Sequence, residues 1–324
     1  MRRQSRLLCG LAAAMLAIMP ADAAPRQEPR ATFRAGADVV AVEASVRRDK
    51  RPVTGLKTSD FQLLDNGVPQ QISDLTYERL PIDVTVVLDV SASVTGAVLD
   101  QLRQSVRQLR ADLGPRDRLK LVAFNMQVRR LADFEAPAAA TDTAFASLSG
   151  RGSSAIFDSI AVQLASPALE GRRHLIVLFT DGQDSSSISD PEALFDVARR
   201  TTATVDIVLA STAPERSSAS PFARSPGRPP ITVGRMYDQL ARETGGLVVP
   251  STPGENLAST FRRTLADFRA SYVLYFTPQG VDQSGAHTID VRVKQDGADV
   301  RARRGYIWKY QPPVIRLPGH TLVV

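Results

Sequence analysis

Between residues 82 and 276, short apolar runs rich in β-branched side chains alternate with stretches of helical period. Few architectures accept that order. Residues 84–88 (VTVVL) form a near-continuous apolar run, as a strand covered on both faces must. Leu99, Leu102, Val106, Leu109 and Leu113 then recur at the spacing of one helix face, predicting a helix near 95–113 that Gly114-Pro115 ends. Further strands are expected at 118–124 (RLKLVAF), 174–179 (HLIVLF), 205–210 (VDIVLA), 247–249 (LVV) and 272–276 (YVLYF). Helices are expected over 155–165, after Asp190-Pro191, and over 235–244 and 255–269. The Asp-Pro pair supplies a cap and a pre-set first helical residue. The alternation predicts an α/β fold, a doubly wound, mostly parallel sheet of Rossmann-like form with helices on both faces. Such sheets take ligands at the carboxyl ends of their strands.

The flanks follow a different period. In 38–47 (ADVVAVEASV), Val40, Val42, Ala44 and Val46 share one face, which predicts a half-buried strand. Phe61 and Leu63 alternate ahead of Asp65-Asn66-Gly67, a hairpin-turn signal. Ile289, Val291 and Val293 alternate, a turn follows at Asp296-Gly297, and Val300 and Ala302 resume before Tyr306 and Trp308. That pattern predicts a hairpin. The expectation is a small β-sandwich built from 36–80 and 278–310, with an α/β domain over 81–277 inserted between its halves. A tail occupies 311–324, and 211–230 (STAPERSSASPFARSPGRPP) forms a polar surface loop.

The N-terminus, MRRQSRLLCGLAAAMLAIMPADAAPRQ, has a basic start, an apolar run and a small-x-small site at Ala21-Asp22-Ala23. It predicts a signal peptide over 1–23 and a flexible lead over 24–35. The expectation is therefore an exported protein, periplasmic or secreted, without stable membrane insertion after cleavage. Cys9 is the single cysteine of the chain and would leave with the signal, so disulfides and cysteine metal ligands are excluded from the mature part. The net charge of +6 is spread along the chain and aromatics make up 6%. No basic-aromatic stripe of the kind nucleic-acid binders use is present.

Chemistry concentrates at three strand or helix ends. VVLDVSASV (86–94) places Asp89, Ser91 and Ser93 after the first apolar strand. GSSAIFD (152–158) offers Ser153 and Ser154 before a helix. FTDGQDSSS (179–187) offers Thr180, Asp181 and Asp184 after a later strand. Hydroxyls and carboxylates without His or Cys are hard oxygen donors suited to Mg²⁺, Mn²⁺ or Ca²⁺ rather than zinc. An ion held by several neutral hydroxyls and few carboxylates stays electron-poor and accepts a carboxylate from outside.

D-x-S-x-S after a buried strand, a hydroxyl residue in G-S-S-A, and T-D-G after a later strand resemble the von Willebrand factor type A domain over residues 81 to about 270. The flanks, RPVTGLKTSDFQLLDNGVPQQI before and YVLYFTPQG with DVRARRGY after, resemble a bacterial exported subfamily of such proteins common in acidobacteria. The resemblance implies a metal-ion-dependent adhesion site in which Ser91, Ser93 and Ser154 ligate the ion directly. Asp89 and Asp181 would contact it directly or through water. The family's usual threonine in the second loop is serine here, with Ser153 as the register alternative to Ser154. A glutamate or aspartate of a protein partner would complete the octahedron. The function so implied is a non-enzymatic, metal-dependent binding or adhesion module. The alternative is a structural or assembly module of the cell envelope with a vestigial metal site. Asp184 and Ser185 to Ser187 are expected as loop-solvating or outer-sphere residues, and Asp158 as a surface or capping one.

Enzymatic readings fit less well. A dehalogenase-type phosphatase would need a second carboxylate two residues after Asp89, where Ser91 stands. A serine hydrolase needs a histidine base beside a nucleophile elbow. The three histidines, His174, His287 and His320, sit at a strand start, a hairpin border and the tail. No phosphate-binding loop is present.

Overall fold

The computed structural model describes residues 39–146, 148–210, 233–251, 256–282 and 284–309, and the backbone of 314–317 and 320–323. The expected signal peptide with Cys9, the lead at 24–35 and the 211–230 loop lie outside the described residues, as do the side chains of the 311–324 tail.

The chain begins with strands β1 (Val40–Arg48), β2 (Arg51–Pro52), β3 (Phe61–Asp65), β4 (Val68–Gln70) and β5 (Ile72–Tyr77). Then come β6 (Ile82–Asp89), α1 (Gly96–Ala111), β7 (Arg118–Phe124), β8 (Val128–Ala132), α2 (Ala138–Ala146), α3 (Ile156–Leu164) and β9 (Arg173–Thr180). Next are α4 (Pro191–Arg200), β10 (Thr204–Ala210), α5 (Val233–Thr244), β11 (Val248–Ser251) and α6 (Leu257–Arg269). The last strands are β12 (Tyr272–Phe276), β13 (Gly285–Val293), β14 (Asp299–Ala302), β15 (Gly305–Trp308), β16 (Val314–Leu317) and β17 (His320–Val323).

A six-stranded sheet, β11-β10-β9-β6-β7-β8, forms the centre. Its pairings are parallel except for β7 with β8. All eight residues of β6 and all eight of β9 are buried, which is why their sequences lack alternation. One face packs Val84, Val86 and Leu88 against Leu102, Val106 and Leu109 of α1 and Phe261, Leu265 and Phe268 of α6. The other packs Val87, Ile176 and Ile207 against α3, α4 and α5 through Ile160, Phe195 and Leu240. The sheet is thus doubly wound. Asp190 caps α4, its side chain accepting from the Ala193 N–H at 2.7 Å, with Pro191 in the first turn.

The flanking strands make two further sheets. One runs β14-β1-β12-β5, with β2 beside β1, and the other β15-β13-β3-β4. Val42, Ala44 and Val46 meet Leu63, Leu274, Phe276, Ile289 and Trp308 in a shared core, so the two sheets form a β-sandwich. Asn66 and Gly67, with φ of 48° and 82°, make the β3–β4 hairpin turn, a conformation that suits Asn-Gly.

Three features differ from the sequence expectation. β12, expected as the last strand of the α/β domain over 81–277, pairs antiparallel with β1 and β5 and belongs to the sandwich. Tyr272, Leu274 and Phe276 face the sandwich core, while Val273 and Tyr275 on the other face are buried too. Burial on both faces gave it the unbroken apolar character of a parallel strand. The expected 287–306 hairpin opens across the sandwich, with β13 pairing β3 and β15 while β14 pairs β1. Finally, β8 and α2 had no clear sequence signal: β8 carries exposed Arg129 and Arg130, and α2 buries only Thr141 and Phe145.

The sandwich meets the central sheet at the amino ends of its strands. Arg173, which opens β9, pairs with Glu43 of β1, donates to the carbonyls of Phe268 and Arg269 and to Ser271 Oγ (2.5 Å), and lies over the Phe268 ring. Thr204 Oγ1 donates to the other Glu43 oxygen at 2.7 Å. From β14, Arg301 donates to the Gly245 carbonyl (2.6 Å). Just beyond β14, Arg303 donates to the Thr201 (2.6 Å) and Ala198 (3.2 Å) carbonyls, which closes the carboxyl end of α4.

His174 lies beside this junction, with Nε2 2.9 Å from Thr85 Oγ1. Burial pulls its pKa from 6.5 down to about 4, Asp83 opposing and Lys120 and Arg118 assisting. The folded protein keeps the ring neutral where the unfolded chain takes a proton, so His174 costs stability as pH falls from 6.5 towards 4. The variant His174→Gln is expected to lose less stability than the parent over that window, by up to ~3 kcal/mol. Urea unfolding at neutral and mildly acidic pH measures the difference, and identical acid dependence in both proteins would contradict it.

Candidate metal centre

Three loops converge at the carboxyl ends of β6 and β9. The first leaves β6 after Asp89. The Val90 N–H donates to the Phe124 carbonyl (2.8 Å) and the Val94 N–H to the Ser91 carbonyl (3.0 Å), a tight turn ahead of α1. The second, 149–155, lies against it: Arg151 N–H donates to the Val90 carbonyl (2.9 Å) and Ala92 N–H to the Gly152 carbonyl (3.0 Å). A β-carbon at Gly150 would fall 2.0 Å from the Val94 carbonyl oxygen. Glycine there is what lets the two loops touch. The third follows β9, and its Ser185 and Ser186 N–H groups both donate to the Ser154 carbonyl (2.9 and 3.1 Å).

All five sequence-predicted residues meet here. Asp89 is fully buried. Its Oδ1 accepts from the Ser91 N–H at 2.9 Å, and both its oxygens lie within 3.3 Å of Ser154 Oγ. Ser91 and Ser93 hydroxyls are 3.1 Å apart, and Ser93 Oγ donates to Asp181 Oδ2. Ser154 is buried while Ser153 is exposed, so Ser154 is the residue that faces Asp89. Ser93 is exposed and Asp181 partly so, which leaves that side of the cluster open to solvent.

The electrostatics are unbalanced. Burial pushes the Asp89 carboxyl above its ordinary pKa, against hydrogen bonds from Ser91 and Thr180, and nearby Asp181 adds in the same direction. No cationic side chain pairs with Asp89 or Asp181 among the described residues. A buried carboxylate without a counter-charge is costly. Two carboxylates and three hydroxyls, all hard oxygen donors, fit a divalent cation such as Mg²⁺. No group of three His, Cys, Asp or Glu side chains placed to hold a metal occurs among the described residues; the donors gathered here are hydroxyls together with carboxylates.

Other residues support the cluster. Thr180 Oγ1 donates to Asp89 Oδ2 at 2.8 Å, a role visible in sequence only as its place in T-D-G. Asp184 and Ser187 cap α3 from a distant loop: the Phe157 N–H lies 3.0 Å from both Asp184 Oδ2 and Ser187 Oγ. The helix's own cap position, Ala155, has no side-chain acceptor. No local motif could reveal a cap delivered across thirty residues. Asp158 accepts from the Ile188 (2.9 Å) and Ser189 (2.8 Å) N–H groups, so it ties down the third loop. Tyr237, buried in α5, donates to the Gly182 carbonyl at 3.3 Å. Burial, with the three aspartates nearby, raises its pKa well above 10.

Comparison with known proteins agrees with this architecture. Residues 83–227 match the von Willebrand factor type A domain. A stretch of 132 residues is 35% identical to the E3 ubiquitin-protein ligase WAV3 of Arabidopsis thaliana, covering 37% of this chain. The chain spans only 17% of that relative's length. Among solved structures, a von Willebrand factor type A protein from Catenulispora acidiphila is similar over 85% of this chain and 75% of its own, with 12% identity and a TM-score of 0.46. Proximal thread matrix protein 1 from the mussel byssus, in a structure described as having a zinc-occupied MIDAS motif, is 13% identical over 63% of this chain and 49% of its own, with a TM-score of 0.46. The domain type is typically a protein-interaction module. Through residues 83–227, with its doubly wound sheet and three converging loops, this chain carries a von Willebrand factor type A domain.

Proposed function

We propose that the protein is an exported, non-catalytic binding module. It holds one divalent ion, Mg²⁺ or alternatively Mn²⁺ or Ca²⁺, at Asp89, Ser91, Ser93, Ser154 and Asp181, and takes an aspartate or glutamate of a protein partner. The observation that carries the reading is Asp89: fully buried, hydrogen-bonded on both oxygens, and without a counter-cation in an all-oxygen donor set. The ion would supply the missing positive charge and leave an acceptor position on the exposed side, by Ser93 and Asp181. A non-catalytic role is supported by the two described imidazoles. His174 is buried beside Thr85, and His287 is buried against Asp65, neither within the loop cluster. The ligase activity in the name of the Arabidopsis relative belongs to a protein of which the match covers a small part. No described helix is long and apolar enough to cross a membrane.

Isothermal titration of the full chain with Mg²⁺ and Mn²⁺ tests the reading. The expected result is saturable one-site binding that disappears in the double variant Asp89→Ala, Ser91→Ala while the fold, followed by circular dichroism, persists. A folded parent that binds neither ion at millimolar concentration would favour the alternative, a structural or assembly module of the cell envelope with a vestigial site.

A further inference from the structure

Five large apolar side chains are strongly exposed among the described residues: Val39, Met126, Val162, Leu169 and Ile188. Two of them lie close to the metal centre: Ile188 (92% exposed) stands on its third loop, and Met126 (63% exposed) stands on the β7–β8 turn that touches its second. Single exposed apolar residues are ordinary. What distinguishes these two is how their backbone is held.

Ile188 sits on the loop that begins with Asp181. Its own N–H and that of Ser189 are both bound by the Asp158 carboxylate. Ser187 before it is fixed by Asp184, whose Oδ1 accepts from the Ser187 N–H at 3.1 Å and whose Oδ2 accepts from its hydroxyl at 2.5 Å. Asp158 is in the first turn of α3, directly after the loop of Ser154. The loop therefore holds an isoleucine outward on an immobilised backbone, beside the cluster. Met126 occupies the turn between β7 and β8. It lies against Gly152, with its Cγ 3.9 Å from where a β-carbon would stand. Asn125 beside it accepts the Ala155 N–H at 2.9 Å and donates through Nδ2 to the Arg151 carbonyl at 3.0 Å. On the second loop the Arg151 side chain is exposed and makes no ion pair among the described residues. An apolar side chain carried on a backbone already held in place leaves less chain to order on binding, and an unpaired cation favours an acidic partner.

We propose that Met126, Ile188 and Arg151 form the rim that selects the partner: an acidic protein segment whose carboxylate is flanked by apolar side chains. The carboxylate takes the ion, the apolar neighbours pack on Ile188 and Met126, and Arg151 meets the remaining negative charge. The proposal rests on the metal-dependent reading above and adds the chemistry of the partner's surface.

A phage-displayed library of random dodecapeptides, bound to the full chain in Mg²⁺ and eluted with chelator, tests it. Eluted sequences are expected to carry an aspartate or glutamate with apolar residues close on either side. A synthetic peptide of the consensus should bind Ile188→Ser at least about tenfold more weakly, roughly the loss of one well-packed apolar contact. Mg²⁺ titration of Ile188→Ser should match the parent, since Ile188 is not a ligand. Acidic peptides without apolar bias, or unchanged binding by Ile188→Ser and Met126→Ser, would overturn the rim and leave the metal site standing. A parent that binds no Mg²⁺ would remove both readings, and no chelator-eluted peptide above background would overturn the rim.

Discussion

The Asp89→Asn variant is expected to invert its rank against the parent according to the metal present. With Mg²⁺ at a hundred times its dissociation constant, the parent gains about 2.7 kcal/mol by mass action. The variant, lacking the charge at the centre of the donor set, gains little. In chelator the order reverses. The parent must then hold a buried carboxylate beside Asp181 with no cation, and its raised pKa is the sign of that cost. At neutral pH a group whose folded pKa lies above its unfolded value destabilises the fold. The amide keeps the shape: its Oδ1 can still accept from the Ser91 N–H, and its Nδ2 would donate to Thr180 Oγ1, whose hydroxyl turns from donor to acceptor. The variant should therefore equal or exceed the chelated parent by ~1–2 kcal/mol. Urea unfolding of both proteins with Mg²⁺ and with chelator gives all four values. A variant less stable than the parent in chelator would mean that Asp89 is held by its hydrogen bonds alone, and the charge argument would fail.

The second large effect belongs to the opposite end of β9. Removing the Arg173 side chain strips Glu43 of its guanidinium, takes one donor each from the Phe268 and Arg269 carbonyls and from Ser271 Oγ, and uncovers the Phe268 ring. Breaking one side of a buried pair costs ~3–5 kcal/mol, because the remaining charge stays buried without its partner. Arg173→Ala is expected to lose that much in urea unfolding. Adding Glu43→Gln should restore part of it, since the two sites share one interaction. Metal affinity should not change, because Arg173 and Thr180 stand at opposite ends of a strand of eight residues, ~25 Å long. Weakened Mg²⁺ binding in Arg173→Ala would show that the junction and the loops are coupled.

The sequence showed the site more fully than it showed the edges of the fold. Asp89, Ser91 and Ser93 follow a strand buried on both faces, and their spacing of two alone places them in one turn. Asp181 follows a long apolar strand, so the strand-end rule brings it to the same sheet edge as Asp89, whereas Ser154 stands before a helix and was singled out through the resemblance. The sandwich was legible because Val40, Val42, Ala44 and Val46 alternate cleanly. β12 was not, because a strand covered on one face by its own sandwich and on the other by the inserted domain has no alternation to read. The separation of β13 from β14 was hidden for another reason: the turn at Asp296-Gly297 is real, with Gly297 at φ 67°, but a turn does not say whether its two arms pair or cross to facing sheets. The cap of α3 by Asp184 and Ser187 is a contact across sequence, and local patterns carry no record of such contacts.

The two crossings between the sandwich and the central sheet have a mechanical consequence. The chain leaves the sandwich after Tyr77 and returns at Tyr272, and these two residues are direct cross-strand partners in β5 and β12. The inserted domain thus hangs from two adjacent points on one hairpin-like pair of strands. Tension applied between the segments that precede β1 and follow β15 runs through the sandwich's own hydrogen bonds and bypasses the insert. Tension applied at the metal face instead reaches the sandwich through those two chain crossings and through the side-chain contacts of Arg173, Arg301 and Arg303. The two directions of pull therefore load the protein differently, and the metal-bearing loops lie on the path of only one of them.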